Sequence, residues 1–303
     1  MLINQPTLEA INKGFSRRFQ DAFTGQKPMY PMICTEIPSA AKEEVHGFLD
    51  RIPKAREWLG ERVINNLAAR EFAIKNRHFE NTFAVDRDDI EDDRIGIYNP
   101  SLDMLGQDAA MYPDDLILAL LEAGTTGLCY DGQYFFDTDH PKNIDDATAG
   151  TQANLFTTTA LNATNYGAKR AAMRKLVGAD GRPLGVNPTH LIVPPALEET
   201  ARLILNGDFV PNAAGTASET NVWKGTANLV VWDRLTSDST WYLVDQSKPI
   251  RPFIFQNRKP PEFTYLTQPT ADNVFMQKKF LYGYDARGNA GYALWFLAIR
   301  CEA

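Results

Sequence analysis

Cysteine is too sparse in this chain to build anything covalent or metallic. Cys34, Cys129 and Cys301 are odd in number and far apart, which excludes a disulfide framework and a Cys-x-x-Cys knuckle and suits a reducing compartment. The four histidines, His46, His78, His140 and His190, form no His-x-x-x-His pair, so the zinc-hydrolase spacing is missing. Gly-x-Ser-x-Gly, which would present a nucleophile on a strand-to-helix turn, is missing too. Gly124-Thr125-Thr126-Gly127 is not followed by Gly-Lys-Ser/Thr, and no Gly-x-Gly-x-x-Gly occurs, so neither phosphate-cradling loop is present. No run approaches the ~20 apolar residues of a membrane span. Met1-Leu2-Ile3-Asn4-Gln5-Pro6 lacks the regions of a secretory signal, and the chain is expected to stay where it is made. Positive charge is in deficit: 31 Lys and Arg against 38 Asp and Glu leave a formal charge of −7. That balance argues against a surface built to neutralise a phosphate backbone.

What is present is an ordinary globular composition, 44% hydrophobic and 23% charged over 303 residues. That is enough for one elaborate or two modest domains, at roughly 100–200 residues each. In the first sixty residues Ala10, Ile11, Phe15, Phe19 and Phe23 fall roughly at helical spacing before Gly25. The run Pro28-Met29-Tyr30-Pro31-Met32 then stops any helix. This region reads either as an N-terminal subdomain or as an arm lying on a neighbouring subunit. Residues 61–86 read as strands, with Phe79, Asn81, Phe83 and Val85 alternating against Glu80, Thr82, Ala84 and Asp86. Arg62, Arg70, Glu71, Lys75 and Arg77 crowd the same stretch with little apolar surface at its tip, the pattern of a projecting loop.

An acidic cluster follows: Asp86, Asp88, Asp89, Glu91, Asp92 and Asp93, broken by Arg87 and Arg94. It lacks the glycine and ligand alternation of a calcium loop, and suits pairing with a basic patch on another subunit. Residues 100–123 predict a long helix with Asn99 as N-cap, Pro100 in its first turn, and an apolar stripe of Leu102, Leu105, Ala109, Leu116 and Leu120. Pro113 inside it predicts a kink or a restart. A second helix is expected over 161–177, and a strand over 189–193 running into Pro194-Pro195 and a further helix. After a loop at 212–221, strands are expected over 228–232, 241–244, 252–255, 263–266, 274–284 and 292–299, the last two turning at Asp285-Ala286-Arg287-Gly288. Asp137, Asp139 and His140 are the best metal candidates, set against a plainer role as turn residues after Tyr134-Phe135-Phe136. The aromatic residues of the last strands are assigned to packing.

Several stretches, taken together and in order, resemble the major head subunit of Mu-like phages. They are Ala55-Arg56-Glu57-Trp58-Leu59-Gly60-Glu61-Arg62, Phe79-Glu80-Asn81-Thr82-Phe83-Ala84-Val85 and Asp88-Asp89-Ile90-Glu91-Asp92-Asp93. Asp131-Gly132-Gln133-Tyr134-Phe135-Phe136 leading to Asp139-His140-Pro141, and His190-Leu191-Ile192-Val193-Pro194-Pro195, complete the set. The resemblance implies an α+β HK-97-like capsid fold with an N-terminal arm (1–57), an extended β-hairpin loop (58–86), and a peripheral domain with a spine helix (87–150). A mainly axial domain (151–250) and late strands returning to the peripheral domain (251–303) complete it. The implied function is self-assembly of hexamers and pentamers into an icosahedral shell around double-stranded DNA, in the host cytoplasm and then the virion. No enzyme activity, cofactor, metal or membrane is implied. Separate scaffold, protease, portal and decoration proteins are the expected partners. Assembly contacts are expected at Arg62, Asn66, Arg70, Glu71, Lys75, Arg77, Asp92 and Asp93. Lys75 and Asn66 are the residue types of the covalent crosslink known for this fold, but no crosslink is expected. The competing readings are an encapsulin-like compartment and a metal-dependent hydrolase.

Overall fold

The computed structural model describes residues 4–49, 69–211 and 217–303. The chain opens with helix α1 (Gln5–Gly25), capped by Asn4, whose side chain accepts from the Thr7 N–H. Strands β1 (Cys34–Pro38), β2 (Glu43–Leu49), β3 (Ala69–Lys75) and β4 (Arg77–Asp86) follow, then the short helix α2 (Arg87–Glu91) and the long helix α3 (Asn99–Glu122). The middle carries the two-residue strands β5 (His140–Pro141), β6 (Thr151–Gln152) and β7 (Leu155–Phe156), then helix α4 (Ala163–Arg174), strand β8 (His190–Val193) and helix α5 (Glu198–Asn206). Strands β9 (Phe209–Pro211), β10 (Ser218–Thr220), β11 (Asn228–Val231), β12 (Trp241–Val244) and β13 (Phe253–Leu266) come next. Helix α6 (Asp272–Gln277), strand β14 (Lys279–Tyr292) and strand β15 (Ala298–Cys301) finish the chain.

Two mixed sheets organise these elements. One runs β1-β13-β14-β4 and the other β11-β8-β12-β15-β7; β2 and β3 form a separate two-stranded ribbon. The two larger sheets share one core, in which Phe135 stacks on Tyr292 at 4.7 Å and meets Phe253 at 5.0 Å, while Phe136 meets Tyr242 at 5.8 Å.

Helix α1 is a single unbroken helix, and it packs on α3 of its own chain. Leu8, Ile11, Phe15 and Phe19 recur every three or four residues and are buried, each worth about 1.5–3 kcal/mol of transfer free energy. A stripe of this width finds its partner in α3 and the first sheet of the same chain. Helix α3 runs unbroken through Pro113. Beside that proline the buried Asp114 carboxylate accepts from the backbone N–H groups of Met29 (2.9 Å) and Tyr30 (2.6 Å), so the proline-rich run is tied to the helix. Asn99 is the first helical residue and not the cap, a place held by Tyr98 without a side-chain bond.

Four strand expectations are corrected. Asp285-Ala286-Arg287-Gly288 is not a turn but the middle of β14, paired to β13 on one side and β4 on the other. Pairing on both edges overrides local turn preference, and Gly288 is required by close approach, since a Cβ there would stand 2.5 Å from the Gln256 carbonyl oxygen. Residues 272–277 are helix α6 and not strand. The two-stranded ribbon is built from β2 and β3, whereas β4 belongs to the first sheet; its first strand lies before residue 58. The last strand, β15, pairs with β12 and β7 in the second sheet, so the chain end does not stay with β13 and β14.

Candidate assembly interface

The ribbon pairs antiparallel from Glu43↔Lys75 to Leu49↔Ala69. No third strand joins it among the described residues, and Val45 on one leg is 57% exposed. Lys75 lies exposed at its root, and Arg70 and Glu71 stand opposite Phe48 and Gly47 on its second leg. Arg62 and Asn66 lie outside the described residues. Arg77 opens β4 with its guanidinium 5.9 Å from the Phe79 ring centre.

Asp92 and Asp93 are exposed just past α2, at the other end of the ten-residue β4. At ~3.3 Å per residue that strand separates them from the ribbon root by roughly 30 Å. The described members of the set thus fall on two surfaces, one at each end of the first sheet. The acidic run is partly self-neutralised, Arg87 pairing with Glu91 at 2.9 Å and Arg94 with Asp89 at 3.4 Å. Asp93 adopts a left-handed backbone (φ 59°) that ends the turn, a conformation aspartate tolerates better than most residues.

The Asp137–His140 stretch resolves as a structural hub. The His140 ring is fully buried and lies 3.8 Å from the Trp295 ring, nearly parallel to it. Its Nδ1 is 2.6 Å from Asp131 Oδ2 and its Nε2 is 3.2 Å from Asn154 Oδ1. The orientation of Asn154 is set by its Nδ2, which faces the carbonyls of Phe135, Trp295 and Ala298, while its Oδ1 also receives the Asp137 N–H at 2.9 Å. Both edges of the imidazole are thus engaged by protein side chains, Nδ1 by a carboxylate and Nε2 by an amide oxygen. The described residues hold no His/Cys/Asp/Glu cluster suited to a metal. Beside the hub, the exposed Asp139 carboxyl is raised, first by its hydrogen bond with Asp137. A nearby cleft of about 610 Å³ is walled by Pro141, Ile144, Leu184 and Phe296. The Asp131 and Trp295 that also line it are already committed to His140.

With neither a catalytic constellation nor a metal set among the described residues, the shape becomes the functional clue: a two-stranded ribbon, a long helix on a four-stranded sheet, and a second mixed sheet. A family model described as the Mu-like prophage major head subunit gpT matches residues 8–160, 152–235 and 233–303. The chain belongs to that family. It is 29% identical over 299 residues to the major capsid protein of Escherichia phage Mu, spanning 99% of this chain and 74% of that protein. It is 27% identical over 293 residues to the Mu-like prophage FluMu major head subunit of Haemophilus influenzae, spanning 96% of this chain and 71% of that protein. Among solved structures, a chain of the procapsid of bacteriophage JBD30 is 31% identical and superposes with a TM-score of 0.62, over 99% of this chain and 76% of that one.

Family and fold agree that this molecule is a phage major capsid protein with an α+β capsid fold. It is a structural component of the virion and not an enzyme. The hydrolase and encapsulin-like readings give way to that membership. The polar residues that matter most to the fold, Asn154 and Gln256, were not legible in the sequence. Each is a single amide whose partners come from distant parts of the chain.

Proposed function

We propose that this subunit assembles as hexamers and pentamers into a closed icosahedral shell around double-stranded DNA, with the β2–β3 ribbon and the Asp92–Asp93 turn at contacts between copies. One observation carries the reading: the ribbon is a two-stranded sheet that no third described strand joins, with a large aliphatic side chain in water. An isolated two-stranded ribbon is at best marginally stable, so its persistence is best explained by a neighbour that covers it in the shell. On this reading residues 43–75 serve as the extended loop, α3 as the spine helix, the first sheet as the peripheral domain and the second as the core of the axial domain. Lys75 and Arg77 at the ribbon root and Arg70 and Glu71 on its second leg belong to that contact, and Arg62 and Asn66, outside the described residues, are assigned to it from the sequence alone. The chain's modest negative charge leaves packaged DNA ungripped. Scaffold, protease, portal and decoration functions fall to separate proteins.

Size-exclusion chromatography with negative-stain microscopy of the purified chain at moderate salt tests this reading. Shells, or rings of five or six subunits, are expected; a monodisperse monomer under all assembly conditions would overturn it.

A further inference from the structure

The root of the ribbon is held by polar groups arranged in a directed circuit. Gln256, on β13, is fully buried. Its Nε2 donates to the Ile74 carbonyl (3.0 Å) and to Asn76 Oδ1 (3.1 Å), and its Oε1 lies 2.6 Å from His46 Nε2. Because the amide nitrogen faces two acceptors, the oxygen must face the imidazole, and His46 donates. Asn76, also buried, passes the polarity on: its Nδ2 donates to Ser39 Oγ at 2.7 Å and to the Ala41 carbonyl at 2.9 Å. Ser39 in turn donates to Glu44 Oε1 at 2.9 Å, and that oxygen also receives the N–H groups of Ala40 and Ala41. The circuit thus starts at His46 and ends at Glu44, both on β2, after crossing β13 and the end of β3.

A single side chain of the first sheet therefore holds both legs of the ribbon, β2 through His46 and β3 through Ile74 and Asn76. Among the described side chains, apolar support at the root comes from β3, where Ile74 packs with Ile254 and Ala293, while His46 ties β2 to the same sheet. We infer that Gln256 is the positioning residue that sets the direction in which the ribbon leaves the subunit, and so the angle at which it meets a neighbouring copy. The inference rests on reading the ribbon as an intersubunit contact. A buried amide suits the task better than an apolar residue would, because its bonds are directional and all three must be made at one ribbon angle.

The test is Gln256→Met in the full chain, which keeps length and approximate volume and removes all three bonds. His46→Ala is the second variant, removing one bond from a half-buried position without touching the sheet core. Two quantities are read: amide hydrogen exchange across residues 43–47 and 72–76, and the distribution of shell diameters by negative stain. The expected result is exchange about tenfold faster for each hydrogen bond lost, with β13–β14 amides unchanged, and a broadened diameter distribution at equal folded fraction. Ribbon exchange indistinguishable from the parent in the variants that fold would overturn the latch. Faster ribbon exchange with unchanged shells would spare the latch and overturn the reading of the ribbon as the contact that sets shell geometry.

Discussion

At the scale of single residues, Asn154 and Glu44 show how much of the fold rests on side chains that no motif marks. Asn154 is fully buried and serves the Phe135, Trp295 and Ala298 carbonyls, the Asp137 N–H and the His140 ring at once. Asn154→Ala would strand several of these groups without water. Each stranded group costs about 1–3 kcal/mol, so a loss of at least about 3 kcal/mol is expected by urea denaturation, and a loss under about 1 kcal/mol would contradict the hub. Glu44 offers a pH test. Its carboxyl is held below its ordinary 4.5, chiefly by the N–H of Ala40, then by that of Ala41 and the Ser39 hydroxyl. A carboxyl depressed by folding stabilises above its unfolded value, and that contribution is lost as pH falls through the folded one. Amide protection at the ribbon root should drop as pH falls below the ordinary 4.5 in the parent and drop less in Glu44→Gln. Equal drops would remove Glu44 from the circuit. The sequence could offer Asp137, Asp139 and His140 as a metal set because the types were right. It could not show that Asp131, Asn154 and Trp295, up to half the chain away, take both edges and one face of that imidazole.

At the scale of elements, periodicity was readable where one neighbour decides the structure and unreadable where two do. The stripe of α1 and the start of α3 follow from local pattern. The centre of β14 does not, because its turn-like Asp-Ala-Arg-Gly stretch is held extended from both sides. The ribbon was displaced for a related reason: alternation in β4 is as strong as in any hairpin leg, but its partner is β14, and only pairing reveals that. The α1–α3 contact gives a paired prediction of opposite sign. Gly14 lies on the exposed side of α1, where an added Cβ would have no atom within 4 Å, so Gly14→Ala should stabilise by about 0.5–1 kcal/mol from helix propensity alone. At Gly106 on α3 the same methyl would stand 2.6 Å from the Phe19 carbonyl oxygen and 2.8 Å from Ala22 Cβ. Gly106→Ala should therefore cost about 1–3 kcal/mol despite the same propensity gain. Thermal melts of the two variants check both signs, and stabilisation by Gly106→Ala would mean that α1 sits farther from α3 than these distances place it.

For the whole molecule, the useful distinction is between residues that hold the subunit and residues that only a neighbour would feel. The Asp92–Asp93 turn is of the second kind: both side chains are exposed, and exposed substitutions away from caps and strain usually change stability by no more than about 0.5 kcal/mol. The substitutions can be chosen so that the fold has little reason to object. Lysine at 92 places a cation just after α2, where the helix C-terminus favours one, and asparagine at 93 accepts the left-handed backbone of Asp93. The Asp92→Lys, Asp93→Asn double variant should melt within about 2 °C of the parent as an unassembled subunit. If the turn faces a basic patch on another copy, the variant should assemble fewer shells. The deficit should narrow as salt rises toward about 0.5 M, because screening weakens the parent's attraction more than the variant's missing one. Sedimentation of assembly reactions across a salt series reads both effects. Parent-level yield at low salt would place this turn away from the contacts and leave the ribbon as the surface that joins the subunits.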